Sequence, residues 1–277
     1  MQYILSNKEF EMFRGLIYDT CGISLTLSKK ELVKSRLTKR LSTLGIDTFS
    51  DYYKYVTKSE KTGKELVQLV DSISTNKTDF FREKKHFDFL DTNLLPSLVL
   101  SKEKSRNRKL RIWCAAASSG EEPYTLAMTV FNHIKPGDGW DVKILATDIS
   151  TKVLQKAING VYDSKLLKDI PPETISSHFS PVLVDKTNCY KAKDHLKDII
   201  TFRRFNLMTE KFPFKYPFDF IFCRNVMIYF DPETQHRLVS KFYDCLPKDG
   251  HLFIGHSETL SRSNSNFKYV LPAAYRK

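Results

Sequence analysis

Residues 110–124 read LRIWCAAASSGEEPY, and this stretch decides the fold of the chain. It opens with a short apolar run, continues through small residues to Gly120, and then places apolar residues at helical spacing. Ser118 or Ser119 is suited to cap the helix, and Pro123 is tolerated in its first turn. The stretch therefore predicts a strand, a tight turn of small residues and a helix.

The predicted turn favours one class of ligand. A unit of this kind lets a ligand lie against the backbone near Gly120, at the carboxyl edge of a parallel sheet. A dinucleotide site usually has three glycines here, whereas this loop has one glycine and two carboxylates, Glu121 and Glu122. Carboxylates repel phosphate and attract cations, so the pattern favours a positively charged nucleoside such as S-adenosylmethionine. On this stretch alone, an ordinary turn without a ligand is the alternative.

The next predicted strand, 142–147, ends at Asp148. A carboxylate in that place can accept hydrogen bonds from both hydroxyls of a ribose. Its alternative role is to cap the helix expected from Thr151, although Ser150 could do this instead. Together the two strand ends favour a nucleoside site.

The composition is that of a globular protein with an excess of positive charge. The chain has 277 residues, of which 41% are hydrophobic and 27% charged. No apolar run is long enough to enter a membrane and the N-terminus lacks a signal-peptide pattern, so we expect a cytoplasmic protein. The five cysteines are too widely spaced for a zinc or redox motif, and we expect no metal. The net charge of +12 would suit nucleic acid, a membrane surface or an acidic protein as partner.

Residues 1–72 predict a small all-α N-terminal domain. Ser6 and Ser28 are candidate helix caps, and residues 28–31 form a capping-box pattern at the start of a second helix. One flank of that helix is basic, which indicates either a binding surface or a merely solvated face. The residues of this basic flank are Lys29, Arg36 and Arg40.

A polar linker and an α/β domain follow. Residues 72–79, SISTNKTD, are polar and break the helical periodicity, so we place the linker at 73–82, and the FFRE sequence that ends at Glu83 predicts the start of a new helix. In the second domain, 83–277, strands and helices alternate from Leu110 as in a doubly wound, Rossmann-like α/β fold. The predicted helices lie near 121–134, 151–158 and 232–245, and the predicted strands are 110–114, 142–147, 199–205, 218–223, 251–255 and 268–275.

A third strand end adds polar residues to the cleft. The sequence FDFIFCRNVMIYFD, residues 218–231, predicts a central strand followed by Arg224 and Asn225, with Tyr229 shortly after. Because the carboxyl ends of parallel strands meet at one edge of a sheet, we expect these side chains over the same cleft as Asp148. Taken one at a time, each has an ordinary alternative role as a cap, a turn residue or a packing tyrosine.

Five stretches match the motifs of one protein family, in that family's order. They are TNKTDFFRE (75–83), AAASSGEEPY (115–124), ATDIS (146–150), FDFIFCRNVMIYFD (218–231) and GHLFIGHSE (250–258). With them the chain resembles, over essentially its whole length, the chemotaxis receptor methyltransferases of the CheR type. The resemblance implies an S-adenosylmethionine-binding methyltransferase domain with a small β-subdomain inserted at about 180–200. It also implies methyl transfer to glutamate side chains on the cytoplasmic helical bundle of chemoreceptors.

The resemblance extends to individual residues. Together with Gly120 at the turn, the residues expected to bind the cofactor are Asn76, Thr78, Arg82, Glu122, Asp148, Asn206, Leu207, Arg224 and Asn225. Within this set Asp148 would bind the ribose, and Asn206 and Leu207 the adenine side. The expected catalytic residues are Arg82 and Tyr229. The basic flank of Lys29, Arg36 and Arg40 would meet the receptor.

The residue inventory suits an in-line transfer of methyl to a carboxylate. A glutamate side chain titrates near ~4.3 and is ionised at neutral pH, so no general base is needed. Arg82 would hold the carboxylate of the substrate or of the cofactor, and Tyr229 would line the path of the methyl group. A nucleic-acid methyltransferase is the alternative, but base methylation commonly uses Asn/Asp-Pro-Pro-aromatic where this chain has RNVM, 224–227. A regulatory module that binds the cofactor without catalysis is less compatible with both Arg82 and Tyr229 being present.

Residues 163–197 interrupt the alternation and bear on receptor recognition. Some family members use their β-subdomain to capture a peptide at the receptor's C-terminus as an edge strand, and those members have a glycine-rich loop there. This chain has no glycine between Gly160 and Gly250, and residues 185–188 would occupy the corresponding turn, where Asn188 could be left-handed. We therefore expect a monomeric enzyme that recognises the receptor bundle without a C-terminal pentapeptide.

Overall fold

In the computed structural model, which describes residues 3–260 and 265–277, the chain begins with a helical domain. Its helices are α1 (Asn7–Cys21), α2 (Lys30–Leu44), α3 (Phe49–Lys54) and α4 (Lys64–Ile73), with a 3₁₀ turn at Leu27–Lys29 and a π turn at Tyr55–Ser59. Their apolar faces share one core that includes Phe10, Phe13, Val33, Leu37, Tyr52 and Leu69. Residues 1–2, at the start of the predicted N-terminal domain, and 261–264 lie outside the described part of the chain.

The first two helices begin differently. The Glu9 N–H donates to the Ser6 hydroxyl at 3.2 Å while the Ser6 N–H donates to the Glu9 carboxylate at 2.9 Å, which is a complete capping box for α1. The prediction that Ser28 caps α2 is wrong. A 3₁₀ turn, Leu27–Lys29, precedes that helix, and the Ser28 hydroxyl pairs with the Thr26 hydroxyl at 2.8 Å instead.

A seven-stranded sheet organises the second domain. The strands, in chain order, are β1 (Lys109–Cys114), β2 (Asp141–Asp148), β3 (Val161–Asp163), β4 (Phe179–Val184), β5 (Thr187–Ala192), β6 (Ile200–Arg204), β7 (Phe220–Cys223), β8 (His251–Ile254), β9 (Lys268–Leu271) and β10 (Ala274–Arg276). The large sheet has the order β6-β2-β1-β7-β8-β10-β9. Strands β6, β2, β1, β7 and β8 are parallel, and β10 and β9 complete the sheet in antiparallel fashion.

Two apolar cores lie against the two faces of this sheet, as in a doubly wound fold. Ile112 and Cys114 of β1 belong to one core, and Trp113 between them belongs to the other. The helices of this domain are α5 (Lys85–Phe89), which continues through a π turn at Leu90–Leu94 into α6 (Leu95–Lys104), then α7 (Glu121–Phe131), α8 (Thr151–Asn159), α9 (Pro172–His178), α10 (Asp194–Asp198) and α11 (Pro232–Asp244). Among residues 3–260 and 265–277, every helix is too short or too polar to cross a membrane.

The order of the strands places a crevice beside β1. The chain passes from β1 to β2 and β6 on one side and then returns to β7 on the other side. The loops that follow β1 and β7 therefore diverge at the carboxyl edge of the sheet. Such a topological switch point is where open α/β sheets bind their ligands.

Two predicted elements are wrong because residues other than glycine take left-handed backbone conformations. The predicted strand 268–275 is a hairpin of β9 and β10, because Ala273 has a φ of +62° and reverses the chain. The helix predicted to begin in FFRE begins only at Lys85, since Phe81 and Glu83 have φ values of +52° and +57°.

The interruption of the α/β pattern contains a three-stranded antiparallel sheet of order β3-β5-β4. It begins at Val161, well before the predicted start near 180. The turn between β4 and β5 consists of Asp185 and Lys186, whose φ values are +45° and +64°. Asn188, predicted to be a possible left-handed turn residue, is instead part of β5. The tight turn thus forms without glycine.

Candidate functional site

A cavity of about 440 Å³ lies at the switch point, bounded by the carboxyl ends of β1, β2 and β7 and by the helical domain. Pockets for small molecules commonly have about 300–1,000 Å³. The predicted site residues that line it are Lys29, Asn76, Thr78, Arg82, Glu122, Asp148, Asn206, Leu207, Arg224, Asn225 and Tyr229. Gly120, Arg36 and Arg40 are not part of its lining.

One wall of the cavity comes from the helical domain, which sequence reasoning missed. Residues 23–26, between α1 and α2, form this wall, and the Ser24 N–H donates to the Tyr229 carbonyl at 2.8 Å. The Asn206 amide donates to the Thr20 carbonyl at 2.6 Å. These polar contacts join the helical domain to two loops at the sheet edge. Nothing in the composition of residues 23–26 marks them as part of a site.

Asp148 lies at the end of β2, where the sequence predicted it. Its two carboxylate oxygens accept the backbone N–H groups of Ser118 at 2.8 Å and Ser150 at 2.9 Å. Burial raises the pKa of this carboxyl above its ordinary value, although those two N–H groups act in the opposite direction. Each oxygen retains a second lone pair, so the carboxylate can still accept a hydrogen bond from a ligand. Ser150 caps α8 by accepting the Val153 N–H at 3.4 Å, so Asp148 is not needed as its cap.

The turn after β1 differs from its prediction in two respects. Neither Ser118 nor Ser119 caps α7, because Gly120 occupies the capping position and provides no side-chain hydrogen bond. Gly120 has a φ of +102°, and an added Cβ would lie 2.6 Å from the Tyr162 hydroxyl and 2.9 Å from the Ala157 Cβ. The glycine therefore permits close packing behind the loop, and its predicted contact with the cofactor stays a prediction.

Arg224 is buried at the centre of a charged network beside the cavity. Its guanidinium donates to Glu122 at 2.9 Å and to Glu83 at 3.0 Å, and it lies over the rings of Phe87 and Phe222 at 5.4 and 5.8 Å. Burial raises the pKa of Glu122, and Arg224 partly offsets this effect. With all three groups ionised, this network of two carboxylates and one guanidinium has one net negative charge, and Arg82 adds a positive charge nearby.

Two further carboxylates shape the loops after β7 and β8. Glu258, 7% exposed, accepts the backbone N–H groups of Asn225 at 3.1 Å, Ile228 at 3.2 Å and Gly255 at 2.5 Å. Glu83 accepts hydrogen bonds from Arg224 and Asn225 among others. Both glutamates lie within family-matching stretches of the sequence, and that placement is the signal that could have drawn attention to them.

The linker covers the cavity. The Ser118 hydroxyl donates to the Asn76 carbonyl at 2.8 Å, which ties the linker to the loop after β1. The half-buried Arg82 donates to the Lys77 carbonyl at 2.9 Å. Its guanidinium therefore retains donors for a ligand, because one hydrogen bond uses only one of its five N–H groups.

The opposite end of the cavity is more apolar. Ile149, Phe205 and Leu207 line it beside Asn206. The Asn206 amide oxygen accepts the Met208 N–H at 3.0 Å, and its amide nitrogen already donates to the helical domain. Flat apolar surface of this kind suits an aromatic base, while the Asn206 side chain chiefly stabilises its own loop.

The basic flank of α2 is not one continuous free surface. Arg36 donates to the carbonyls of Ile73 and Ser74 and to the Thr75 hydroxyl, the latter two at 3.1 and 3.0 Å. Arg40 forms a two-point ion pair with the buried Glu65, with contacts of 2.6 and 2.5 Å. Both guanidinium groups thus have partners within the chain. Lys29, in contrast, is exposed at the rim of the cavity.

One group of side chains in the described residues has the composition of a metal site. Potential ligand atoms of Glu83, His86 and His256 lie within 4.8 Å of one another. The Glu83 oxygens already accept several hydrogen bonds, and Arg224 supplies a positive charge to the same carboxylate. Glu83 therefore already has a cationic partner within the chain, which it shares with Glu122.

Comparisons with known proteins agree with this geometry. Residues 76–275 match the family described as CheR methyltransferase, SAM binding domain, and residues 8–74 match CheR methyltransferase, all-alpha domain. The chain is 44% identical over 275 residues to the chemotaxis protein methyltransferase of Borreliella burgdorferi, covering 99% of this chain and 95% of that protein. It is 36% identical over 264 residues to the chemotaxis protein methyltransferase of Escherichia coli, covering 95% and 88%. The chain belongs to the CheR methyltransferase family.

Proposed function

We propose that this protein transfers the methyl group of S-adenosylmethionine to glutamate side chains on the cytoplasmic helices of chemoreceptors. The proposal depends on one observation above all. The cavity at the switch point brings Asp148, a carboxylate suited to bind a ribose, together with Arg82 and Tyr229, which come from distant parts of the sequence. The names of the relatives supply the chemotactic context. A cytoplasmic, monomeric enzyme acting on the receptor bundle is part of the same proposal.

The residues of the cavity fit the cofactor. Asp148 would accept hydrogen bonds from the ribose hydroxyls through its remaining lone pairs. Ile149, Phe205 and Leu207 would contact the adenine. The amino-acid end of the cofactor carries an ammonium and a carboxylate, which Glu122 and Arg82 of the lining would complement.

The chemistry requires orientation and dehydration. S-adenosylmethionine, when bound, supplies an electrophilic methyl group on a positively charged sulfur. The acceptor glutamate is ionised at neutral pH, since its side chain titrates near ~4.3, so no residue needs to remove a proton. Arg82 would hold a carboxylate at the mouth of the cavity through its remaining donors. Tyr229 would line the path of the methyl group and exclude water from it.

Recognition of the receptor would involve the rim that Lys29 shares with the cavity. A basic side chain there attracts the acidic surface on which acceptor glutamates lie. Arg36 and Arg40 stay predicted receptor contacts, but their internal hydrogen bonds mean that replacing them would also perturb the linker and the helical core.

A side-by-side labelling assay tests the proposal. Radiolabelled S-adenosylmethionine is offered with a receptor cytoplasmic fragment, with the same fragment carrying glutamine at its acceptor sites, with RNA and with DNA. We expect label only in the unmodified fragment, in a form that mild alkali releases, because a glutamyl methyl ester is hydrolysed by base. The Arg82→Ala variant provides the matched enzyme control. Label in nucleic acid, or label that resists alkali, would refute the proposed substrate.

A further inference from the structure

Glu83 gathers hydrogen bonds from two loops that end at different strands. Its Oε2 accepts from Arg224 Nη2 at 3.0 Å and Nε at 3.3 Å, after β7. Its Oε1 accepts from Asn225 Nδ2 at 3.1 Å, in the same loop, and from the His256 backbone N–H at 3.2 Å, after β8. One carboxylate therefore connects the linker to both loops. Its side chain is only 13% exposed, so these contacts are shielded from water.

The backbone around Glu83 is held in an unfavourable conformation. Phe81 and Glu83 both have positive φ, and Arg82 lies between them. A left-handed conformation is unfavourable for residues with a Cβ, and it persists where surrounding contacts enforce it. The Glu83 carboxylate supplies such contacts on one side of Arg82, and the Phe81 N–H supplies another by donating to the Thr125 hydroxyl at 3.3 Å.

The charge of Glu83 matters for its neighbours. Burial raises the pKa of Glu83, but Arg224, Asn225 and the His256 N–H outweigh that effect, so its pKa lies below the ordinary value and the side chain is ionised at neutral pH. Arg224 and Asn225 line the cavity, as does Arg82, whereas Glu83 does not. Arg224 also donates to the Arg82 carbonyl, so the two arginines are joined through the backbone as well.

We propose that Glu83 is a positioning residue that fixes Arg82, Arg224 and Asn225 in the arrangement that binds the cofactor and orients the acceptor. Its hydrogen bonds hold the end of the linker against the loops at the carboxyl edge of the sheet. The turnover part of this inference rests on the proposed function, whereas the cofactor-binding part rests only on the cavity.

Glu83→Gln is the informative substitution because the amide has nearly the same shape. In either orientation of the glutamine side chain, its NH₂ group would face hydrogen-bond donors and could not accept from them. In one orientation it meets Arg224, and in the other it meets the Asn225 amide and the His256 N–H. The variant also removes the negative charge and leaves Arg224 with Glu122 as its ion-pair partner in the network.

A matched control for Glu83→Gln lies at the other end of β7, the strand that precedes Arg224. Lys102 and Asp219 form an ion pair of 2.7 Å with side chains 15% and 12% exposed, and Asp219 precedes β7 where Arg224 follows it. Lys102→Met breaks an ion pair of comparable burial in the same domain, and neither of its two residues lines the cavity. Any effect of lost stability alone should appear in both variants.

The experiment measures three quantities for wild type, Glu83→Gln and Lys102→Met: the Tm, the Kd of S-adenosylmethionine by calorimetry, and kcat with a receptor fragment. We expect similar decreases in Tm for the two variants. Only Glu83→Gln should weaken cofactor binding, by about tenfold or more, and lower kcat at saturating cofactor. If Glu83→Gln does not fold, Glu83→Asp takes its place, because a carboxylate one methylene shorter cannot reach both loops. Weaker cofactor binding and a lower kcat are then expected again, with smaller size.

The outcomes separate the two proposals. A Kd and kcat within about twofold of wild type in the Glu83 variant would overturn the inference. Equal losses in Lys102→Met would also overturn it, since they would reduce the effect to stability. If the wild-type protein fails to methylate the receptor while Glu83→Gln still loses cofactor affinity, the proposed substrate is wrong and the positioning role of Glu83 stands.

Discussion

Replacing Asp148 with alanine should weaken the binding of S-adenosylmethionine by about 10²- to 10⁴-fold. The carboxylate would form two charge-assisted hydrogen bonds to the ribose, each contributing roughly 1.5–3 kcal/mol. Their sum, about 3–6 kcal/mol, corresponds to that range because every ~1.4 kcal/mol is a factor of ten in Kd. Calorimetric titration of the purified variant with S-adenosylmethionine measures the effect directly.

The structure shows that Asp148→Ala has a second consequence. The N–H groups of Ser118 and Ser150 lose their acceptor, which costs roughly 1–3 kcal/mol for each group that stays buried without a partner. A control must therefore disturb the same region without touching the ligand. Asp71→Ala is such a control. The Asp71 carboxylate accepts hydrogen bonds from the Thr151 N–H at 3.1 Å and from the Thr151 hydroxyl at 2.9 Å, and Asp71 does not line the cavity.

The pair of variants distinguishes ribose binding from local stability. Asp71→Ala should bind S-adenosylmethionine with wild-type affinity at a temperature where both variants are folded. A Kd for Asp148→Ala within about threefold of wild type would refute the assignment of Asp148 to the ribose. Equal weakening in both variants would show that the start of α8, and not the ribose contact, controls affinity.

Four other predictions follow from the described residues. Arg82→Ala should nearly abolish receptor methylation while shifting the Tm by only a few degrees, since one hydrogen bond to a carbonyl is lost; near-normal turnover would disprove its role. Lys29→Glu should slow receptor methylation at low ionic strength and have little effect at about 1 M salt, where exposed charges are screened, and a loss that persists in high salt would argue against electrostatic docking. Titration with an acidic-aromatic receptor C-terminal pentapeptide should show no saturable low-micromolar binding, because the β4–β5 turn lacks glycine; such binding would show that the glycines are dispensable. Burial lowers the pKa of His86 and of His251 to about 4, from the ordinary histidine value of ~6.5. Between these two pH values the unfolded chain therefore binds more protons than the native chain. The free energy of unfolding should then fall as the pH drops from ~6.5 towards 4, by up to about 1.4 kcal/mol per pH unit for each histidine, and a slope unchanged in His251→Gln would contradict this account.

Residues at strand ends were predictable because their positions follow from local pattern. Asp148, Arg224 and Asn225 each come directly after an apolar run, and parallel strands bring such ends together whatever the rest of the chain does. Their partners were not predictable in the same way. Glu83 lies 141 residues before Arg224 in the sequence, and only the folded linker brings them into contact.

The failures share a physical origin. The packing reason for Gly120 is not visible in the sequence, because the groups that exclude a side chain there, Tyr162 and Ala157, belong to later elements of the chain. The positive φ values of Phe81 and Glu83, which stop the predicted helix, are imposed by tertiary contacts against the preference of the residues. Local propensity cannot anticipate a conformation that distant residues enforce.

The wall that residues 23–26 contribute to the cavity links two proposed properties of the chain, cofactor binding and receptor recognition. The segment leads directly into Lys29 and α2, the part of the chain proposed to meet the receptor. Exchanging the helical domain between relatives to alter receptor choice would therefore exchange part of the cofactor's surroundings as well. We therefore expect that substitutions that change receptor preference must also keep the cavity intact, and that they accumulate in pairs across this boundary.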